Sequence, residues 1–233
     1  MRLSSLSIPF LALTLAACSG EVDEAPVAGE TQASSEAPPE ITVEGDERRI
    51  VAFGDSLFAG YNLAEHEGYP ERLQRALRQA GINATVVDAG VSGDTTSGGL
   101  ERIGFVLDQQ AQKPDLFILE LGGNDMLRGV QPGIARSNLE GMLTELRKRG
   151  ISVLIMGMRA PPNYGPEYQQ QFDALYADLA REYGASLVPF WLESIYQDQS
   201  LFQSDRIHPT AEGIDALVAD TLDDVQAALP KGG

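Results

Sequence analysis

The sequence predicts an α/β domain with a parallel sheet of about five strands between two layers of helices. From about Arg48 to the C-terminus, short apolar runs alternate with longer stretches of helical periodicity. The apolar runs show almost no alternation of polar and apolar residues, which is typical of strands buried on both faces. Strand, helix and strand repeated in this order form a parallel sheet, because each helix crosses over one face of it.

Each element is predicted from its own stretch of sequence. The strands are short apolar runs at residues 50–53, 84–88, 116–121, 153–156 and 185–188. The helices are amphipathic stretches at residues 69–79, 95–110, 134–149, 167–183 and 210–229. Gly81, Gly150 and Gly184 follow three of these helices, at the position where a glycine commonly ends a helix.

Three chemically useful residues follow the first three predicted strands. Ser56, Gly93 and Asn124 lie in the loops after strands one, two and three. The carboxyl ends of parallel strands meet at one edge of a sheet, and sites in such sheets form in the loops there. We therefore expect these residues to lie close together, although they are distant in sequence.

The composition describes one globular domain and argues against nucleic-acid binding. The chain has 233 residues, of which 43% are hydrophobic, so it can bury a sizeable core. It contains 34 acidic and 17 basic residues, for a net charge of −17. Phosphate binding needs clustered Lys and Arg, so nucleic acid is not an expected partner.

The first 17 residues are predicted to be an export signal and not part of the fold. Arg2 provides a positive start, and the apolar run at residues 6–17 is too short to span a bilayer as a permanent helix. The run ends in Leu15-Ala16-Ala17-Cys18, which resembles the lipobox of bacterial lipoproteins. The resemblance implies that Cys18 becomes a lipidated N-terminus. The alternative is a secreted protein with a cysteine near the cleavage point by accident.

Lipidation of Cys18 implies a location in the cell envelope. The protein would be anchored in a bacterial membrane and face the periplasm, and Ser19 favours the outer over the inner membrane. Cys18 is the only cysteine, so the chain cannot form an internal disulfide. The sequence does not indicate an oligomeric state.

Residues 18–47 are predicted to be the lipid-anchored cysteine followed by a disordered acidic linker. Between Ser19 and Glu47 there are nine Asp or Glu residues and no Lys or Arg. Such a segment buries too little apolar surface to offset the entropy of ordering it. The folded domain is accordingly predicted to cover residues 48–233.

One serine and one histidine are placed for nucleophilic catalysis. A serine is a weak nucleophile until a base accepts its proton, and the base needs a third group to orient it. Ser56 follows the first strand, while His208 follows Asp205 by three residues, so one turn can hold the carboxylate against the ring. The other histidine, His66, stands between two glutamates in a stretch that is predicted to be solvated. Taken singly, the Asp55-Ser56 pair is better explained as a helix cap and His208 as a structural loop residue, and only their combination favours catalysis.

Gly93 and Asn124 are candidates for stabilising an anionic oxygen. The N–H of a glycine can approach a ligand closely, and an asparagine amide can donate to the same oxygen. Each signal is weak alone, because Gly93 can simply form a turn and Asn124 can cap the helix expected near Pro132. Asp94 and Asp125 are interpreted as carboxylates that order loops. The scattered Asp, Asn and His residues match no metal-ligand pattern, so neither a metal nor a cofactor is expected.

Taken together, these residues resemble the SGNH, or GDSL, hydrolases. The blocks that carry the resemblance are Gly54-Asp55-Ser56, Gly93, Gly122-Gly123-Asn124-Asp125 and Asp205-x-x-His208. Residues 53–61, 88–100, 119–127 and 158–168 are similar to a bacterial subgroup described as acyl-CoA thioesterase, lysophospholipase and arylesterase. The resemblance covers nearly everything from Arg48 onward, and it implies a flavodoxin-like, three-layer α/β/α sandwich without a metal.

Carried over by position, the resemblance implies a role for each residue. Ser56 would be the nucleophile, His208 the general base and then acid, and Asp205 the group that orients His208. The N–H groups of Ser56 and Gly93 and the amide of Asn124 would form the oxyanion hole. The expected reaction is two-step hydrolysis of a small-molecule acyl ester or thioester through an acyl-enzyme.

Substrate choice is predicted to lie in the loop of residues 158–166. Pro162, Asn163 and Tyr164 in this loop, together with Asp55, are assigned to substrate binding, with Tyr164 lining an acyl groove. The alternative is that the prolines of the loop only terminate the preceding strand.

Two other functions fit the same residues. A carbohydrate O-deacetylase could use this constellation on acetyl groups. A non-catalytic surface lipoprotein could use the cleft to bind lipid, although such a protein has no need to retain Ser56, Asp205 and His208 together.

Overall fold

The computed structural model describes residues 37–231, and in this range the chain forms a five-stranded parallel sheet between helices. In chain order the elements are β1 (Arg48–Gly54), α1 (Tyr69–Gln79), β2 (Ala84–Gly90), α2 (Thr96–Asp108), β3 (Leu116–Leu119), α3 (Gly123–Leu127), α4 (Pro132–Lys148), β4 (Ser152–Met156), α5 (Pro166–Tyr183), β5 (Ser186–Val188) and α6 (Ala211–Ala228). Short 3-10 helices occur at Glu65–Glu67, Pro162–Tyr164 and Gln199–Leu201. None of the helices in residues 37–231 is both long and apolar enough to cross a membrane.

The order of the strands determines where the loops meet. The strands lie in the order β2-β1-β3-β4-β5, and all neighbours are parallel. The chain moves from β1 to β2 and then returns to β3 on the other side of β1. With right-handed crossovers, this reversal puts α1 on one face and α2 on the other. The helix α6 packs on α1, while α2, α4 and α5 pack side by side, which completes a flavodoxin-like three-layer sandwich.

The predicted strands and helices are all present, and none of their ends is displaced by more than two residues. The short helix α3 was not predicted, because five residues produce no recognisable periodicity. The expectation that every strand is buried on both faces is wrong for both edge strands. In β5, Ser186 is exposed and Leu187 is half-buried, and the departure is larger in β2. This strand lies at an edge of the sheet, and only Ala84 in it is fully buried. An apolar run alone does not distinguish an edge strand from a central one.

The boundary predicted between linker and domain at Arg48 is too late. The guanidinium of Arg75 donates to the carbonyl of Pro39 (2.9 Å), and that of Arg78 contacts Glu40 (2.9 Å). Thr85 donates to Glu47 (2.7 Å). Side chains of α1 and β2 thus hold the last part of the predicted linker, which composition alone could not reveal. The predicted export signal, the cysteine at position 18 and linker residues 19–36 lie outside the described residues.

An aromatic cluster packs beneath the turn that follows β1. The rings of Phe58 and Tyr69 stack with their centroids 5.0 Å apart, and Trp191 contacts both rings edge-on at 5.4 and 5.3 Å. The hydroxyl of Tyr69 is hydrogen-bonded to Thr221 of α6 (2.6 Å). All three rings are fully buried, so this packing gives the turn around Ser56 a rigid base.

Gly90, the last residue of β2, lies against the same turn. A Cβ atom at this position would lie 2.5 Å from the backbone nitrogen of Ala59 and 3.0 Å from the carbonyl oxygen of Asp55. Real Cβ atoms do not approach backbone so closely, so a side chain here must displace either the strand or the turn.

We predict opposite effects for two Gly→Ala variants. Gly90→Ala should lower the free energy of unfolding by about 1–3 kcal/mol, as overpacking does. Gly104→Ala, inside α2 and facing open space, should raise it by about 0.5–1 kcal/mol, because alanine favours the helix. Urea unfolding of both variants measures the difference. A Gly90→Ala variant as stable as the parent would show that the close approach is not a real constraint.

Candidate active site

The turn after β1 holds Ser56 at the carboxyl edge of the sheet. The carbonyl of Asp55 accepts from the N–H of Ala59 (3.0 Å), and that of Ser56 accepts from Tyr61 (3.2 Å). The carboxylate of Asp55 accepts from the N–H of Leu57 (3.0 Å), which is the local bond that aspartate forms in turns. Ser56 is only 9% exposed, so its backbone is fixed while its hydroxyl faces a cavity.

His208 reaches the serine from a loop 152 residues further along the chain. Its Nε2 lies 2.8 Å from Oγ of Ser56, and its Nδ1 lies 2.7 Å from Oδ2 of Asp205. A carboxylate can only accept, so the proton of the neutral ring belongs on Nδ1, and Nε2 is left to accept from the serine hydroxyl. The predicted juxtaposition of the hydroxyl, the ring and the carboxylate is therefore present.

The His208 loop is fastened to the Ser56 turn through Gln203. The side-chain amide of Gln203 donates to the carbonyls of Tyr61 (2.8 Å) and Pro209 (2.9 Å), and its backbone N–H donates to the carbonyl of His208 (2.7 Å). Tyr61 also packs its ring on His208, with centroids 4.3 Å apart. Arg206 takes a left-handed conformation (φ 60°), which reverses the chain just before the histidine.

Asp205 uses its two carboxylate oxygens for different tasks. One oxygen holds the ring, while the other accepts from the backbone N–H groups of Ile207 (2.9 Å) and His208 (3.1 Å). Partial burial would raise the pKa of Asp205, but the hydrogen bonds from the His208 ring and the two N–H groups outweigh it and lower the pKa to about 2. Asp205 is therefore ionised at neutral pH and can stabilise a positive charge on the ring.

The three groups predicted to form the oxyanion hole border the same cavity. Gly93 has φ 81°, a conformation that favours glycine, and its carbonyl accepts from Arg128 (2.8 Å). Asn124 is the second residue of α3 and not a cap of α4, so the alternative role considered for it is excluded. Its Nδ2 donates to Asp55 (2.9 Å), which leaves a second N–H on the same nitrogen.

Asp94 and Asp125 order the loops as interpreted from the sequence. Asp125 is buried and accepts from the hydroxyl (2.6 Å) and the N–H (2.8 Å) of Thr96. Asp94 pairs with Arg102 (2.7 Å), which also donates to the carbonyl of Gly54 (3.0 Å). Within residues 37–231, no group of three or more His, Cys, Asp or Glu side chains could hold a metal ion.

A cavity of about 680 Å³ opens above the serine. Its polar end is formed by Ser56, Gly93, Asn124 and His208. Its walls are mostly apolar and include Tyr61, Met126, Leu127, Met158, Phe190, Leu192, Tyr196, Phe202 and Ile207. The cavity therefore joins the reactive groups to a volume suited to an apolar chain.

The substrate-binding residues predicted from the sequence need correction. Pro162, Asn163 and Tyr164 form a 3-10 helix outside the cavity, and Tyr164 packs on the ring of Tyr168 (5.2 Å). The loop reaches the cavity instead through Met158, Arg159 and Pro161. The bend of the backbone after Pro161 decides this, and no local signal in the sequence shows it.

Asp55 is also placed differently from the prediction. It lies at the floor of the cavity but is only 2% exposed, and both of its carboxylate oxygens accept hydrogen bonds from the protein. It therefore braces the site from below, with both oxygens already engaged by the protein.

Sequence reasoning missed a buried acid beneath the site. Glu120 directly follows β3, is 0% exposed and accepts from the backbone N–H of Asp55 (3.2 Å). Burial first, and then the charge of Asp55, hold the pKa of Glu120 well above its usual range. Burial also raises the pKa of Asp55, against the hydrogen bonds from Leu57 and Asn124. The one signal in the sequence is that Glu120 is a charged residue within an apolar run, between Leu119 and Leu121.

The fold and the hydrogen-bonded serine, histidine and aspartate define the class of serine hydrolases. A family model described as "GDSL-like Lipase/Acylhydrolase family" matches residues 52–216. The chain belongs to this family, and it is a carboxylic ester hydrolase.

Relatives and solved structures agree with this assignment. The chain is 39% identical to esterase TesA of Pseudomonas aeruginosa, over 72% of this chain and 83% of that protein. It is 36% identical to thioesterase 1/protease 1/lysophospholipase L1 of Escherichia coli K12, over 74% of this chain and 80% of that protein. The crystal structure of AlinE4, an SGNH-hydrolase family esterase, is 56% identical, covers 81% of this chain and all of that chain, and superposes with a TM-score of 0.68.

The raised pKa of Glu120 predicts how stability depends on pH. A folded-state pKa above the ordinary value of 4.5 gives stability that is present in full below pH 4.5 and is lost as the pH rises towards the folded pKa. The free energy of unfolding of the parent, compared with that of Glu120→Gln, should therefore fall by up to about 1.4 kcal/mol for each pH unit above pH 4.5. Urea unfolding of both proteins between pH 5 and 8 measures this. Parallel stability curves would mean that Glu120 ionises normally.

Proposed function

We propose that the chain hydrolyses acyl esters or thioesters of medium-length acyl chains, with Ser56 as nucleophile. The observation that carries the proposal is the hydrogen-bonded triad of Ser56, His208 and Asp205 beside an apolar cavity. The two hydrogen bonds are 2.8 and 2.7 Å long. A non-catalytic protein that only binds lipid would need the cavity but not this triad.

The first half of the reaction forms an acyl-enzyme. Oγ of Ser56 attacks the carbonyl carbon while Nε2 of His208 takes the hydroxyl proton, and a tetrahedral oxyanion results. The imidazolium is stabilised by ionised Asp205. His208 then returns the proton to the leaving oxygen or sulfur, and an alcohol or a thiol departs. In the second half, water attacks the acyl carbon while Nε2 of His208 takes its proton. The bond to Oγ of Ser56 then breaks, His208 returns the proton to Oγ, and the carboxylic acid is released.

The oxyanion is stabilised by groups that are already in position. Ser56, Gly93 and Asn124 all line the cavity, and this supports the backbone N–H groups of Ser56 and Gly93 and the free N–H of Asn124 as the donors to the oxyanion. Because these donors are fixed by the fold, little reorganisation is needed when the charge develops.

The substrate class follows from the mouth of the cavity. Tyr61, Leu127, Tyr196 and Ile207 line the cavity and also expose 42% to 51% of their surface. Such a mouth can remove an acyl chain from water, at about 0.8 kcal/mol per methylene. Arg206 borders the same cavity and suits a polar or anionic leaving group, whereas Arg159, which also lines the cavity, is paired with Glu193 (2.6 Å). The names of the relatives, which include thioesterase and lysophospholipase, support substrates of this kind. A cavity of this size and polarity does not favour a carbohydrate O-deacetylase.

We further propose that the mature protein is a lipoprotein of the bacterial cell envelope. The Leu15-Ala16-Ala17-Cys18 sequence after a short apolar run supports lipidation of Cys18, and Ser19 supports the outer membrane. The acidic segment after Cys18 would separate the catalytic domain from the membrane surface. The protein would then contact the membrane only through the lipid on Cys18. Its active site would face the periplasm, where amphiphilic substrates could reach it.

The function is tested with a series of nitrophenyl esters and acyl thioesters of increasing acyl length. We expect kcat/KM to rise by up to about fourfold per methylene from acetyl onward until the cavity is filled, as burial of methylenes predicts. Ser56→Ala should abolish turnover and labelling by a serine-directed phosphonate. Ser97→Ala, at an exposed serine on α2, is the matched control and should behave as the parent. A preference for acetyl would favour the deacetylase, and full activity of Ser56→Ala would overturn the proposal.

The lipoprotein proposal is tested on the full chain expressed in a Gram-negative host. The parent should incorporate a palmitate analogue and sediment with the outer membrane, because its acyl chains insert into the bilayer. Cys18→Ser should take up no label and leave the membrane fraction. If Cys18→Ser sediments with membranes as the parent does, the anchor lies elsewhere.

A further inference from the structure

Within residues 37–231, the side chain of Asn124 forms one hydrogen bond, to Asp55. The distance from Nδ2 of Asn124 to Oδ2 of Asp55 is 2.9 Å, and the contact is shielded because Asp55 is only 2% exposed. An amide can rotate by half a turn with little change in shape, and it then presents an oxygen where it presented N–H groups. An oxygen facing the cavity at this position would repel an oxyanion.

A carboxylate at position 55 removes this ambiguity. Carboxylate oxygens can only accept, so the flipped amide would set its oxygen against Oδ2 of Asp55, a carboxylate that is only 2% exposed. The bonded orientation uses one N–H of Asn124 for Asp55 and leaves the other free. The second oxygen of Asp55 accepts from the N–H of Leu57 (3.0 Å), next to the nucleophile. One carboxylate therefore fixes both the oxyanion donor and the turn of Ser56.

Glu120 supports this carboxylate from beneath. Its Oε2 accepts from the backbone N–H of Asp55 (3.2 Å), and its Oε1 has no hydrogen-bond partner within residues 37–231. A Cβ atom at position 54 would lie 2.7 Å from Oε2 of Glu120. The glycine at the end of β1 therefore leaves the space that the Glu120 carboxyl group occupies. Two adjacent buried charges would repel strongly. Asp55 accepts two hydrogen bonds and Glu120 one, so the negative charge belongs on Asp55 and the proton on Glu120.

We propose that Asp55 is a positioning residue that orients the amide of Asn124 towards the oxyanion, and that Glu120 holds Asp55 in place as a neutral acid. This deepens the proposed function and rests on it, because orientation of Asn124 matters only if the cavity stabilises an oxyanion. Neither side chain needs to touch the substrate.

A double-mutant cycle tests the proposal. The variants are Asp55→Asn, Asn124→Ala and the combination, assayed on a soluble nitrophenyl ester, with thermal unfolding to verify the fold. Asn124→Ala should lower kcat by about 10² to 10³-fold, as the loss of an oxyanion donor does, and Asp55→Asn by about 10-fold or more. Once Asn124 is absent, Asp55→Asn should cost no more than about threefold further, because the asparagine oxygen can still accept from the N–H of Leu57 and only the contact with Asn124 is lost. KM should change little in any of them.

The alternative outcomes are distinct. If the losses multiply, Asp55 acts independently of Asn124 and the proposal is wrong. Glu120→Gln keeps a neutral group of the same shape and should retain kcat within a few-fold, with an unchanged pH profile. A large loss there would mean that the charge of Glu120 is used. Full activity of Ser56→Ala would overturn the proposed function as well, whereas multiplied losses with an inactive Ser56→Ala overturn only this proposal.

A measurement on the parent protein covers the case in which Asp55→Asn does not fold. The two side-chain protons of Asn124, assigned by their loss in Asn124→Ala, are followed by NMR. One proton should be shifted downfield by the bond to a carboxylate, and both should keep their positions from pH 5 to 8. Two averaged signals, or signals that follow a titration in this range, would show that Asp55 does not fix the amide.

Discussion

The active site depends on the contact between two loops that lie 152 residues apart. Parallel strands bring the Ser56 turn to the carboxyl edge of the sheet, but the His208 loop follows β5 at the far side and must reach back. The side-chain amide of Gln203 bridges the two loops with bonds of 2.8 and 2.9 Å, and Tyr61 packs on the histidine ring. These contacts join the two loops, so the hydroxyl of Ser56 and the imidazole of His208 stay within hydrogen-bonding distance before a substrate binds. Acyl transfer needs catalytic groups that are positioned in advance in this way.

The polar part of the site is built in layers that pass from exposed to fully buried. His208 lines the cavity and Asp205, bonded to it, is about a third exposed, whereas Asp55 at the floor is 2% exposed and Glu120 beneath it is 0% exposed. A carboxylate at the rim is stabilised by hydrogen bonds and ionises easily, whereas one that is sealed from water keeps its proton. The same functional group thus serves as a charge partner at the surface and as a neutral support in the interior. Burial and the number of hydrogen-bond donors together decide between these roles, because Asp55 is also buried but accepts two hydrogen bonds.

The cavity contrasts with the rest of the molecule. The chain carries a net charge of −17, yet the walls beside the nucleophile are aromatic and aliphatic, and two arginines border the opening. Surface acidity keeps such a protein soluble and says nothing of its substrate. Under the proposed function, the apolar walls would provide the favourable free energy for binding an acyl chain, while Ser56 and His208 would provide the chemistry. Substrate size and reaction type are therefore set by different residues.

The sequence by itself determined the elements of the fold and the reactive residues. Strand and helix periodicity is local, and Ser56, Gly93, Asn124, Asp205 and His208 stand in short motifs, so both could be predicted. Tertiary structure decided what depends on distant contacts. It placed β2 at an edge, drew residues 39–47 onto α1 and β2, and took Pro162, Asn163 and Tyr164 away from the cavity. It also set Glu120 under Asp55, because burial and pairing arise only when β1 and β3 lie side by side.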